Sequence, residues 1–152
     1  MKNAEEIINA VCRSQSTFGL ATCFVVRAIR QYSRQIVSSD VASLKAALPG
    51  EKASDWKRAA IYVSRRLEAA QVRGASLNAE FFRELAATNP QRDVMRRFLL
   101  RAVTNYAAHI ASMPHARISH SLRGIEAWKW KHVANEIHNA VETILAFNRT
   151  TA

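Results

Sequence analysis

Side chains able to exchange protons or hold a metal are few and scattered in this chain. The five histidines stand at 109, 115, 120, 132 and 138, the two cysteines at 12 and 23, and the three aspartates at 40, 55 and 93. General acid–base or two-metal chemistry needs carboxylates that converge. Each aspartate instead sits where a helix would start: Asp40 ahead of Val41, Asp55 after Ser54, Asp93 after Pro90. Capping and first-turn placement are the expected roles. His132 with Glu136 and His138 with Glu142 are i, i+4 pairs, but the Glu-x-x-His spacing of di-iron bundles is absent, so local hydrogen bonding is expected.

Nucleophilic and phosphate-loop chemistry find no support either. There is no G-x-S-x-G elbow, and the four glycines are isolated at 19, 50, 74 and 124. His109, His115 and His120 flank Pro114 near Arg117 and could form a phosphate-binding or RNA-cleaving corner. The Arg-then-His spacing of the helical HEPN ribonucleases is nevertheless missing at every histidine. Cys12 and Cys23 lie too far apart along a helix for a disulfide, and no histidine is near enough in sequence to complete a zinc site with them. The reading is non-enzymatic, with no catalytic residue, metal ligand or cofactor. A reducing, cytoplasmic setting is expected.

The informative side chains are the cations. The 152 residues carry 22 Lys and Arg against 12 Asp and Glu, a formal charge of +10. Sixteen of the 22 are Arg, whose planar fork grips phosphate or carboxylate at two points and stacks on bases. Helical projection gathers them into three faces. Arg27, Arg30 and Arg34 share an arc of about 100° after Gly19. Arg58, Tyr62, Arg65, Arg66 and Arg73 share another on the segment after Ser54. Arg92, Arg96, Arg97 and Arg101 follow Asn89 as two i, i+4 pairs, with Asp93 as the only counter-charge in that first stretch. Like charges at i, i+4 cost a few tenths of a kcal/mol per pair, so helix stability does not explain them. Near the C-terminus Trp128 projects to the polar side, close to Lys131, where it could stack on a base or anchor a protein partner.

The elements that must carry these faces are helical throughout. Hydrophobic residues make up 49% of the chain, Gly and Pro are scarce, and apolar positions recur at three- and four-residue steps. A helix, kinked or broken around Ser14 to Gly19, is expected over 4–37, with Ile7, Ile8 and Val11 and then Phe18, Ala21, Val25, Ile29, Tyr32 and Ile36 as its apolar positions. A short one is expected over 41–48, capped by Ser39 and Asp40 and stopped by Pro49-Gly50. Another is expected from a Ser54 cap to Gly74, a short one from Asn78 before Asn89, and a long one from Asn89-Pro90 to Met113. Residues 115–120 read as a linker, followed by a last helix from about Ser121. No internal repeat is evident, and the longest uncharged run near the N-terminus, Ser14 to Val26, is shorter than the roughly 20 residues of a membrane span.

The expectation is an all-α, single-domain, compact bundle of six to seven helices over residues 1–148, with a frayed tail at 149–152. It would bind nucleic-acid backbone with low sequence specificity, RNA or single-stranded DNA in preference to sequence-specific duplex reading. The expected setting is an accessory subunit of a larger nucleoprotein assembly, alongside other protein subunits or copies of itself, with no membrane partner. The alternative is a protein-interaction module, an inhibitor, adaptor or scaffold, docking on an acidic protein surface through the same arginines.

Overall fold

Periodic burial defines the first helix of the computed structural model, which describes residues 20–74, 81, 84, 85, 92–122 and 124–151. Helix α1 (Ala21–Ser38) buries Phe24, Val25, Ala28, Ile29, Tyr32 and Ile36 at helical spacing. At its end the Ser39 hydroxyl donates to the Gln35 carbonyl at 2.7 Å, occupying an acceptor the helix cannot satisfy itself. Asp40 then caps the short α2 (Val41–Ala47), accepting the Ser43 N–H at 2.7 Å, while Leu44 and Leu48 anchor it to the core.

Helix α3 (Ala53–Arg73) begins earlier than a Ser54 cap predicts. Its N-cap position is Lys52, extended and without a side-chain cap, and the buried Ala53 is its first residue. Asp55 keeps its expected first-turn place, and Gly74 closes the helix by donating its N–H to the Ala70 and Gln71 carbonyls. Helix α4 (Arg92–Ser112) ends ahead of Pro114. The expected linker is a helix, α5 (His115–Ser121), held by a fully buried Ile118 and by Leu122. The last helix, α6 (Ala127–Thr151), starts later than Ser121 and continues through the residues expected to fray. The segments assigned to Ile7, Ile8, Val11, Cys12 and Phe18, and the Asn78 and Asn89-Pro90 caps, fall outside the described residues. The architecture is an all-α bundle, with six helices and no strand among the described residues.

Contrary to the sequence reading, the chain is internally repeated. Helices α2 and α5 are displaced by 74 positions at both ends (Val41 to His115, Ala47 to Ser121). Helices α3 and α6 begin at the same displacement (Ala53 to Ala127), and α1 and α4 end at it (Ser38 to Ser112). Of the 45 positions from Phe24 to Glu68, 14 carry the same residue 74 positions later, which with the matching helix bounds makes chance agreement untenable. Nine of the shared pairs are core or turn residues that shape the fold: Phe24/Phe98, Ala28/Ala102, Tyr32/Tyr106, Ile36/Ile110, Leu48/Leu122, Gly50/Gly124, Ala53/Ala127, Trp56/Trp130 and Ala60/Ala134.

The two copies do not stack as beads but exchange aromatic rings. Phe24 of the first packs on Tyr106 and Trp130 of the second, with centroids 4.8 and 4.9 Å apart. Phe98 of the second packs reciprocally on Tyr32 and Trp56 of the first, at 5.0 and 5.3 Å. In each copy the tryptophan N–H donates to the tyrosine hydroxyl oxygen, Trp56 to Tyr32 at 3.1 Å and Trp130 to Tyr106 at 3.2 Å. Reciprocal packing of this kind is the mark of a two-fold relation, here within one chain. The aromatic core therefore straddles a pseudo-dyad between α1 and α4.

Candidate nucleic-acid interface

The expected arginines are brought to the surface on rigid helices, but they are not equally free to meet a ligand. On α3, Arg58 projects with its side chain 68% exposed, 3.9 Å from Asp55 one turn earlier. Arg65 is exposed, as is Arg73 in the last turn, where a cation is favourably placed against the helix dipole. Arg66 is half-buried: its guanidinium covers the Tyr62 ring at 6.0 Å and lies 3.7 Å from Glu84. Tyr62 is itself half-buried against the core, so the expected open stacking platform is largely covered.

The α1 face opens onto α3. Arg30 and Arg34 line a cleft of about 310 Å³ with Ser64, Glu68 and Gln71. Arg34 is exposed and Arg30 half-buried. Arg27 points elsewhere, its guanidinium 5.9 Å over the Trp130 ring, and its equivalent Arg101 sits 5.9 Å over Trp56. Stacking of this kind holds a cation against the core while part of it stays in water.

The α4 face departs furthest from expectation. Arg97 is engaged by Glu51, Nε–Oε2 at 2.7 Å and Nη2–Oε1 at 3.0 Å, a two-point fork across the bundle. The counter-charge was expected within the same helix, whereas this carboxylate is supplied by the segment before α3. Arg96 is half-buried, and Arg101 is exposed outside that fork.

Trp128 is 53% exposed, as projection expected, and has no counterpart in the first copy, where Ser54 stands. Its indole N–H donates to Glu126 at 2.6 Å, and the Lys129 ammonium lies 5.6 Å over the ring. Lys131 is half-buried. His132 pairs with Glu136 at 2.6 Å, in keeping with a local role. Cys23 is a free, exposed thiol. Among the described residues no three His, Cys, Asp or Glu side chains converge as metal ligands, and no helix is long and apolar enough to cross a membrane.

The repeat separates arginines that belong to the fold from those that do not. Arg27 and Arg101 occur in both copies and cover equivalent tryptophans. On α3 the first copy carries Arg58, Arg65, Arg66 and Arg73 where the second has His132, Asn139, Ala140 and Phe147. On α1 it carries Arg30 and Arg34 where the second has Thr104 and Ala108. The same backbone is built without those cations. No protein-family model, curated protein or solved structure matches this chain.

Proposed function

We propose that the protein binds the phosphate backbone of a nucleic acid through the arginine face of its first copy, without catalysis and with little sequence selectivity, as an accessory subunit of a nucleoprotein assembly. The observation that carries this reading is the asymmetry between the copies. Six arginines, Arg30, Arg34, Arg58, Arg65, Arg66 and Arg73, stand on helices whose equivalents fold with neutral side chains or a histidine at the same positions. A charge the fold does not need, at a net +10, is accounted for by an anionic partner. Helices hold the cations at fixed spacing, which suits a backbone of regularly placed phosphates.

Binding of labelled single-stranded RNA, single-stranded DNA and duplex DNA, read by fluorescence anisotropy, tests the reading with two variants. Arg58→Ala/Arg65→Ala/Arg73→Ala removes three exposed cations and is expected to flatten the dependence of log affinity on log salt by about 0.7 to 0.9 for each phosphate no longer neutralised. Arg97→Ala removes a cation held by Glu51 and should leave that slope unchanged. Equal slopes for the triple variant and the wild type would overturn the assignment. Binding to an acidic protein but to none of the three nucleic acids would transfer the same face to protein recognition.

A further inference from the structure

Between α1 and α4, directly on the pseudo-dyad, lies a cleft of about 360 Å³. The two helices contribute equivalent positions to it. Ala28 and Ala102 are the small residues of its lining, and their lack of bulk leaves room between the helices. Tyr32 and Tyr106 line it as buried core rings, each hydroxyl oxygen already accepting a tryptophan N–H. The remaining lining is polar: Gln31 and its equivalent Asn105, Gln35 and its equivalent His109. All four are exposed, and no carboxylate lines the cleft.

Both copies carry a polar side chain at these positions, whereas one residue earlier each arginine of the first copy is replaced in the second. One residue before Gln31/Asn105 the copies differ as Arg30/Thr104, and one residue before Gln35/His109 as Arg34/Ala108. Neither polar pair is buried in the core, so packing does not account for their retention. An amide presents a donor beside an acceptor, which matches the hydrogen-bonding edge of a nucleobase. A neighbouring cleft of about 300 Å³ shares Tyr32, Gln35 and Asn105 with the central one and is lined by Arg101. A phosphate joined to a base in the central cleft therefore has a cation at hand.

We propose that the pseudo-dyad cleft is a nucleobase site, in which Gln31, Gln35, Asn105 and His109 bond one base and Arg101 meets its phosphate. This rests on the nucleic-acid reading and names where a base of the bound strand is held. The test is calorimetric titration of the full chain with AMP, GMP, CMP and UMP, with ribose 5-phosphate as the base-free control. It is joined by anisotropy with an oligonucleotide and its abasic analogue. The nucleotides are expected to bind and ribose 5-phosphate to bind at least about tenfold more weakly, since hydrogen bonds to a base edge contribute on that order together.

The exposed double substitution Gln31→Ala/Asn105→Ala should erase the preference for nucleotide over ribose 5-phosphate and for the natural over the abasic strand. If the oligonucleotide and its abasic analogue bind equally to wild type and variant, the base site is overturned while backbone binding stands. Nucleotides that bind where no oligonucleotide does would support the cleft and overturn the backbone reading. Silence in both arms would overturn both.

Discussion

Trp56 and Trp130 are the largest fully buried side chains, and each faces the same difficulty: an indole N–H removed from water must find an acceptor. Tyr32 and Tyr106 supply it. Tyr32→Phe or Tyr106→Phe leaves that donor unpaired in the core and is expected to cost about 1 to 3 kcal/mol in urea unfolding, with similar losses for the two variants. A neutral effect at either site would contradict the equivalence of the copies. Burial also pushes both phenols above the ordinary tyrosine range, against the opposing pull of the tryptophan bonds and of Arg101 and Arg27. A raised folded-state pKa means stability that is complete below the unfolded value of about 10 and lost as pH rises through the folded one. Unfolding midpoints measured from about pH 8 upward should fall in the alkaline range, and less steeply in Tyr32→Phe/Tyr106→Phe. At this scale the sequence exposed much: Val25, Ile29, Tyr32 and Ile36 follow from spacing alone. The Arg97–Glu51 fork did not, because its partners are 46 residues apart and meet only once the bundle closes.

Among the elements, α2 and α5 show what local signals convey. Asp40 before Val41 is a cap readable from residue type, whereas α5 lacks such a residue, with Pro114 at its N-cap position and Ile118 fully buried. A seven-residue helix has almost no periodicity to detect. After each of these helices the chain turns through a glycine of positive φ, Gly50 at 88° and Gly124 at 80°. A Cβ added at either meets nothing within 4 Å, so the cost of alanine there is conformational. Gly50→Ala and Gly124→Ala are each expected to lose about 1 to 2 kcal/mol, measured by urea unfolding. Loss at one and gain at the other would mean that the turns are not equivalent. The hydrogen bond to Asp40 lowers its pKa, so its cap stabilises the fold above the ordinary carboxylate range and is lost as pH falls through the lowered value.

For the whole molecule, the repeat was the feature least visible in the sequence. Most of its identities are spread over core positions three and four apart, a pattern any amphipathic helix shows, and much of the surface between them has diverged. Only the fixed displacement of 74 and the exchanged rings of Phe24 and Phe98 single it out. The repeat turns a diffuse basic composition into a directional one, since the arginines missing from the second copy mark the face that the fold itself does not require.

The most direct test of nucleic-acid binding is the affinity of the unmodified chain for mixed-sequence single-stranded RNA at about 50 and about 200 mM salt. Binding that weakens by orders of magnitude between the two is the predicted result, as the neutralisation of several phosphates requires. An affinity that does not respond to salt, or no binding at the lower concentration, would contradict it.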